Sequence, residues 1–329
     1  VKSISFKSSY NLDVLSFLNV MTSDKYYVSK YQDEYNLFYP LLSEGIKASF
    51  KAFLDNAQRS NIAILFTAAV SLLENFNNRD LREVLTAQDE IEMNLIKSQF
   101  PPNLKEGIQY LPLFSGLIIQ LIQELEDNGF KKFWQENRYP LICNRIKELR
   151  DLLGKNMLLF EHLERYKKLQ SEEINVYICS YTYHHGTKIF RDSLIVDYTC
   201  SDKFMINVIA HELSHPLYVW ENVTDSIELL KEKEFITKAY NRQDPQNPYT
   251  PIEMFIEENI VEALGTYIAY LVGFEDEPYK YFKVHDGGSH VISPYMFTYL
   301  KDNDIQKDQS FEDYFNGFVQ KIDSIKFEF

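Results

Sequence analysis

Two histidines four residues apart bracket a glutamate in His211-Glu212-Leu213-Ser214-His215. Positions i and i+4 of a helix share one face, so both imidazoles can reach a single cation. Glu212 is turned about 100° from His211 around such a helix. That is close enough to hold a water beside the ion and too far round to be a third ligand on the same edge. Zinc suits these donors: it takes imidazole nitrogen, and a reactive zinc has three protein ligands and one position left for water. The chemistry these residues point to is attack by a metal-activated water, with Glu212 as general base.

A third ligand must come from elsewhere. The metzincin pattern H-E-x-x-H-x-x-G-x-x-H is excluded, because Tyr218 stands where the glycine must turn the chain and Glu221 where the histidine should sit. A carboxylate from a second helix is the other solution. Thr250-Pro251-Ile252-Glu253 has the shape of a capping box with proline at the first helical position. It predicts a helix over 251–272, ended by Gly273, that offers Glu253, Glu257, Glu258 and Glu262. Glu258 and Glu262 are i and i+4 on one face, and Gly265 follows on it, small enough to let a neighbouring helix come close. The expected ligand is Glu258, with Glu257 and Glu262 as rivals. Glu262 is expected to accept the outer N–H of His211, since ligating histidines are held by such partners.

The stretch Glu257-Glu258-Asn259-Ile260-Val261-Glu262-Ala263-Leu264-Gly265-Thr266 resembles the glutamate-ligand helix of the gluzincins, the thermolysin-like clan of zinc metallopeptidases. The resemblance implies Glu258 as zinc ligand and Glu262 in the place of an aspartate that supports a zinc histidine. It further implies a Tyr or His beyond this helix that donates to the oxyanion. His290, His285 and Tyr295 are the candidates, His290 favoured, around the Asp286-Gly287-Gly288-Ser289 loop. Glu257 departs from the family's usual Asn, and the separation of His211 from Glu258 is longer than in thermolysin. The likeness covers residues 174–273, and a bacterial gluzincin family with a helical N-terminal part fits better than thermolysin itself.

These side chains need two helices and a support. Phe204, Met205, Val208, Ile209 and Leu213 form the apolar stripe of a helix over 201–215, started by Ser201 or Asp202. Pro216 should bend or end it at His215. Just before it, Ile174, Val176 and Ile178 alternate, His185-Gly186 offers a turn, and Ile189–Tyr198 reads as a second strand. A small antiparallel sheet over 174–198 is expected, and its 188–198 strand would pair with an extended peptide if it were an edge. The first half reads as helices: Ile62 to Phe76, Leu117 to Leu125 ending at Asn128-Gly129, and Ile142 to Leu153 ending at Gly154 all show helical spacing. The fold class is α+β and predominantly α-helical, with a helical domain over 1–170 and a zinc-binding part over 171–329.

Composition narrows the partners. With 34 basic and 48 acidic residues, the net charge of -14 argues against nucleic acid and anionic lipid surfaces. The aromatic content, 24 Phe and 23 Tyr, suits a large core. Cys143, Cys179 and Cys200 are scattered and suggest neither a disulfide framework nor a cysteine zinc site. Leu111–Leu125 is interrupted by Pro112, Gln120, Gln123 and Glu124, so it reads as a buried helix and no membrane span is expected. The chain opens on Val1, which is compatible with a secreted or cell-envelope protein after leader removal and with a cytoplasmic one. Two functions are in view: a zinc metallopeptidase acting on a peptide or protein substrate, and a non-catalytic zinc-containing scaffold that binds through its helical half. A retained Glu212 favours the first, because a purely structural zinc site has no use for that carboxylate.

Overall fold

In a computed structural model of the chain, residues 3–57, 62–98, 100, 102–153, 158–166, 173–182, 186–243, 249–306 and 308–327 are described. They are predominantly helical with one small sheet, an α+β fold. The chain divides into two units, Val1–Leu152 with Glu173–Cys200, and Leu153–Glu172 with Ser201–Phe329.

The first unit is built on four strands, β1 (Ser3–Ser8), β2 (Glu173–Cys179), β3 (Gly186–Ile189) and β4 (Ser193–Asp197), in the order β1-β2-β4-β3. The sheet is mixed and not antiparallel throughout: β2 pairs in parallel with both β1 and β4, and only β3 and β4 form a hairpin. Its turn falls at Arg191, in the left-handed region with φ 60. The expected turn residue His185, with His184, lies outside the described residues. Every residue of β4 is buried, as a strand flanked on both edges and covered on both faces must be. The β1 strand is an addition to the sequence reading, although Ile4 and Phe6 alternate with polar residues there. These strands belong by contact to the first unit, whereas sequence grouping attaches them to 171–329.

The helix Tyr10–Met21 is buried on nearly every side, the signature of a central core helix. Ser9 caps it by accepting from the Leu12 amide at 3.1 Å. Asp13 lies inside that core and accepts from Trp134 Nε1 and the Ser180 amide, each at 2.6 Å. Helix Ser115–Asp127 ends at Asn128 and Gly129, whose φ of 89 is the left-handed cap foreseen in sequence. The Leu111–Leu125 run is two pieces, a 3₁₀ turn over Leu111–Leu113 and that helix. Among the described residues no single helix is long and apolar enough to cross a membrane.

The second unit is organised around the helix Ile252–Leu271, the glutamate helix, buried along almost its whole length. The histidine helix Asp202–Ser214 and the helix Ser293–Asp302 pack on it. The glutamate helix starts one residue later than the capping box suggests. Pro251 holds the capping position in an extended conformation without a side-chain cap, leaving Thr250 outside, and Glu253 pairs with Lys231 at 2.9 Å. The loop before it is described only in part, residues 244–248 lying outside the described set. Gly273 ends the helix with φ 83, as expected.

Candidate metal centre

The histidine helix is capped by Ser201, whose Oγ accepts from the Phe204 amide at 3.3 Å. It ends at Ser214, so His215 is its first extended residue, with ψ 142. The cause is Pro216, whose ring disfavours the helical conformation in the residue before it. Both imidazoles nevertheless meet: His211 Nε2 and His215 Nε2 are 3.3 Å apart. Glu258 closes the triangle, with Oε2 at 3.4 Å from His211 Nε2 and Oε1 at 3.5 Å from His215 Nε2. Zinc at about 2.0–2.1 Å from nitrogen and oxygen sets tetrahedral ligands about 3.3–3.4 Å apart. The three donors already stand at that spacing, and the residues fit the ion.

Each ring is held from behind. His211 Nδ1 faces Glu262 Oε2 at 3.0 Å, and His215 Nδ1 faces Glu257 Oε1 at 3.4 Å. With an acceptor at each Nδ1, the proton belongs there and the Nε2 lone pair points into the triangle. Glu262 is itself fixed: Thr266 Oγ1 donates to its Oε1 at 3.2 Å, and Asn207 Nδ2 donates to Thr266 at 3.0 Å. Gly265 makes this closeness possible. A Cβ there would sit 3.0 Å from the His211 amide nitrogen and 3.2 Å from its Cα, which is the tight approach anticipated from the glycine.

Electrostatics follow from the pairing. Burial, the largest influence on His211, works against its cation, but Glu258 and Glu262 overcome it and hold the imidazolium well above its ordinary range. For His215 burial again opposes, and Glu258 with Glu257 raises it to about 9. Burial disfavours ionised Glu258 and Glu262, yet the facing imidazoles bring both below the usual carboxylate range. The cluster thus holds cationic charge at its centre, as protons or as the metal that displaces them. Side-chain exposures of 15% for His211, 22% for His215 and 17% for Glu258 leave the triangle reachable from solvent.

Of the residues singled out in sequence, His211, His215 and Glu258 come together and Glu262 backs His211. Glu212 lies half-buried on the histidine helix. His290 is buried, its ring stacks on His285 at 5.2 Å, and both offer donor atoms within 4.8 Å of Glu262, whose Oε2 faces His211 Nδ1. Tyr295 packs among Phe235 and Phe327, at 5.3 and 4.7 Å. The 193–197 part of the strand expected to take a peptide is flanked by β2 and β3, so β3 is the edge on that side.

One residue takes a role other than the one its sequence position suggests, and one has no role assigned from sequence. Glu257 was a rival ligand there, and helical rotation instead turns it to the outer nitrogen of His215. In sequence Tyr218 marks only the absence of the metzincin glycine. Its ring is clamped by Phe315 at 5.2 Å and Trp220 at 5.4 Å. Its buried hydroxyl has no hydrogen-bond partner among the described residues. Burial first, then the charges of Glu257 and Glu258, push that phenol well up. An aromatic beside a histidine pair was the available signal.

No family model matches the chain, and no curated protein or solved structure matches it.

Proposed function

We propose that the chain is a zinc-dependent metallopeptidase of gluzincin type, acting on a peptide or protein substrate. The observation that carries this reading is the triangle of His211, His215 and Glu258, with edges of 3.3, 3.4 and 3.5 Å, beside a retained Glu212. Bound zinc would polarise a carbonyl and lower the pKa of water towards about 7. Glu212 accepts the proton of the attacking water and delivers it to the departing amine. Glu262 and Glu257 keep both imidazoles in one tautomer and one direction. The donor to the developing oxyanion is assigned to Tyr218 in place of His290. Its hydroxyl is buried, feels the charges of Glu257 and Glu258 and has no hydrogen-bond partner among the described residues, while His290 groups with Glu262 and His285.

The test compares wild type with Glu212→Gln for zinc content and for hydrolysis of an internally quenched peptide library. Wild type should carry zinc and cleave. Glu212→Gln should keep the zinc and lose roughly 10²–10⁴-fold in rate. Zinc present without cleavage of any peptide would instead favour the scaffold function, and absence of zinc would sink both. Glu258→Gln should lose the ion held by this triangle; unchanged affinity at the triangle would move the third ligand to Glu257.

A further inference from the structure

The geometry points to a second site for a divalent cation in the same unit, formed by Glu262, His285 and His290. Each offers one donor atom, and these atoms lie within 4.8 Å of one another. Glu262 and His290 are buried and His285 is half-buried. The donor set, two imidazoles and a carboxylate, matches that of the first triangle and suits zinc or a similar borderline-soft ion. Closing donors from 4.8 Å to the spacing of about 3.3 Å around zinc takes side-chain movement of about 1.5 Å at most.

The chain invests in bringing these rings together. Between the two histidines, Gly287 and Gly288 turn at φ 65 and 77. A Cβ on Gly288 would lie 2.9 Å from the Lys283 carbonyl oxygen, so glycine is required there. The turn returns His290 over His285 with the planes only 15° apart. Tyr281 stacks on the outer face of His285 at 4.6 Å and 21°. The far end of the loop is tied down as well: the Ile292 amide donates to Asn259 Oδ1 at 2.9 Å, and Ser293 Oγ to the Asn259 carbonyl at 2.7 Å. Asn259 is one residue from Glu258, so the same helix that offers the first site's carboxylate positions this loop.

Charge argues in the same direction. Among the described residues, the ion pairs of Glu257, Glu258 and Glu262 are all to histidine, with no Lys or Arg. Carboxylates gathered at buried and half-buried positions attract cations, because buried charge is costly unless it is paired. Glu262 can serve both sites, because each carboxylate oxygen has two lone pairs. Its Oε2 faces His211 and its Oε1 takes the Thr266 hydroxyl, leaving capacity on both.

Zinc stoichiometry decides the matter without any substrate. The full chain is stripped with a chelator, reloaded with zinc, desalted and assayed by mass spectrometry of the metal. Wild type should hold two equivalents, His285→Ala/His290→Ala one, and Glu258→Gln one. His290→Gln, which keeps size and polarity, serves if the double variant does not fold, and circular dichroism checks both. One equivalent in wild type that Glu258→Gln loses and the histidine variants keep would overturn this site alone. One equivalent lost by the histidine variants and kept by Glu258→Gln would support this site and remove the first. No bound zinc would overturn both.

Discussion

Gly265→Ala should loosen zinc while leaving the protein folded. The added methyl would meet the His211 backbone nitrogen at 3.0 Å, its Cα at 3.2 Å and its Cβ at 3.2 Å. Comfortable carbon contacts begin at about 3.5 Å, so the two helices must part by about 0.3–0.5 Å. Overpacking of this kind costs about 1–3 kcal/mol, while alanine gains about 1 kcal/mol over glycine inside a helix. The net is a loss of about 0–2 kcal/mol in the second unit. The same shift stretches the 3.0 Å contact of His211 with Glu262 and the 3.4 Å edge to Glu258. Metal sites tolerate about 0.2 Å of such error, and loosening a histidine's supporting partner lowers affinity about 10–100-fold. Competition with a chromophoric chelator reads the affinity, and denaturant titration reads the stability. Gly116→Ala is the control, because a Cβ there meets nothing within 4 Å and, in the first turn of its helix, it should stabilise by up to about 1 kcal/mol. If Gly265→Ala gains stability like the control and binds zinc as tightly as wild type, the close approach is not what positions His211.

Tyr218→Phe removes a buried hydroxyl with no partner among the described residues. It should raise the melting temperature slightly while cutting peptide cleavage about 10²-fold with zinc retained; unchanged turnover would return the donor role to another group. Burial lifts Asp13 to about 7, against hydrogen bonds from Trp134, Ser180 and Tyr181. Its folded pKa lies above the unfolded value, so Asp13's contribution to stability is fully present below pH 4 and is lost by up to about 1.4 kcal/mol per pH unit towards pH 7. Asp13→Asn should flatten that slope in urea denaturation across pH 4–8 and cost about 1–3 kcal/mol at low pH, since one amide oxygen cannot serve both N–H donors. An equal slope in the variant would assign it to another group. Ser201→Ala should cost about 1 kcal/mol by uncapping the histidine helix, measured in the same titrations.

The parts of this molecule that follow a local rule were legible in its sequence. The i, i+4 pair of Glu258 and Glu262, the helix end at Gly273 and the stop imposed by Pro216 each depend on residues within one or two turns. The role of Gly265 was legible too, because a glycine on the acid-bearing face of an otherwise apolar helix has few other uses. Strand order was not. Partnering of β2 with a strand over 160 residues earlier in the chain is a long-range choice, and alternation names a strand without naming its neighbour. The grouping of His290 with His285 and Glu262 was not legible for a similar reason: composition marks a histidine as capable of chemistry without naming its neighbours. Glu257 shows how fine the margin is, since a rotation of about 100° per residue separates a ligand from its neighbour's support.

The glutamate helix is buried along almost its whole length and yet carries four acids, which determines how it would respond to random change. A surface helix such as Ser115–Asp127 buries one stripe, so a saturation library would accept most replacements at every position facing water. The glutamate helix has almost no such positions: its apolar residues are core, its acids are assigned, and Gly265, Thr266 and Asn259 each fill a specific contact. In a deep mutational scan it should stand out as a nearly unbroken block of intolerance. Selection for zinc retention alone should single out Glu258, Glu262 and Gly265 within that block, while selection for folding alone should pick out the apolar positions between them.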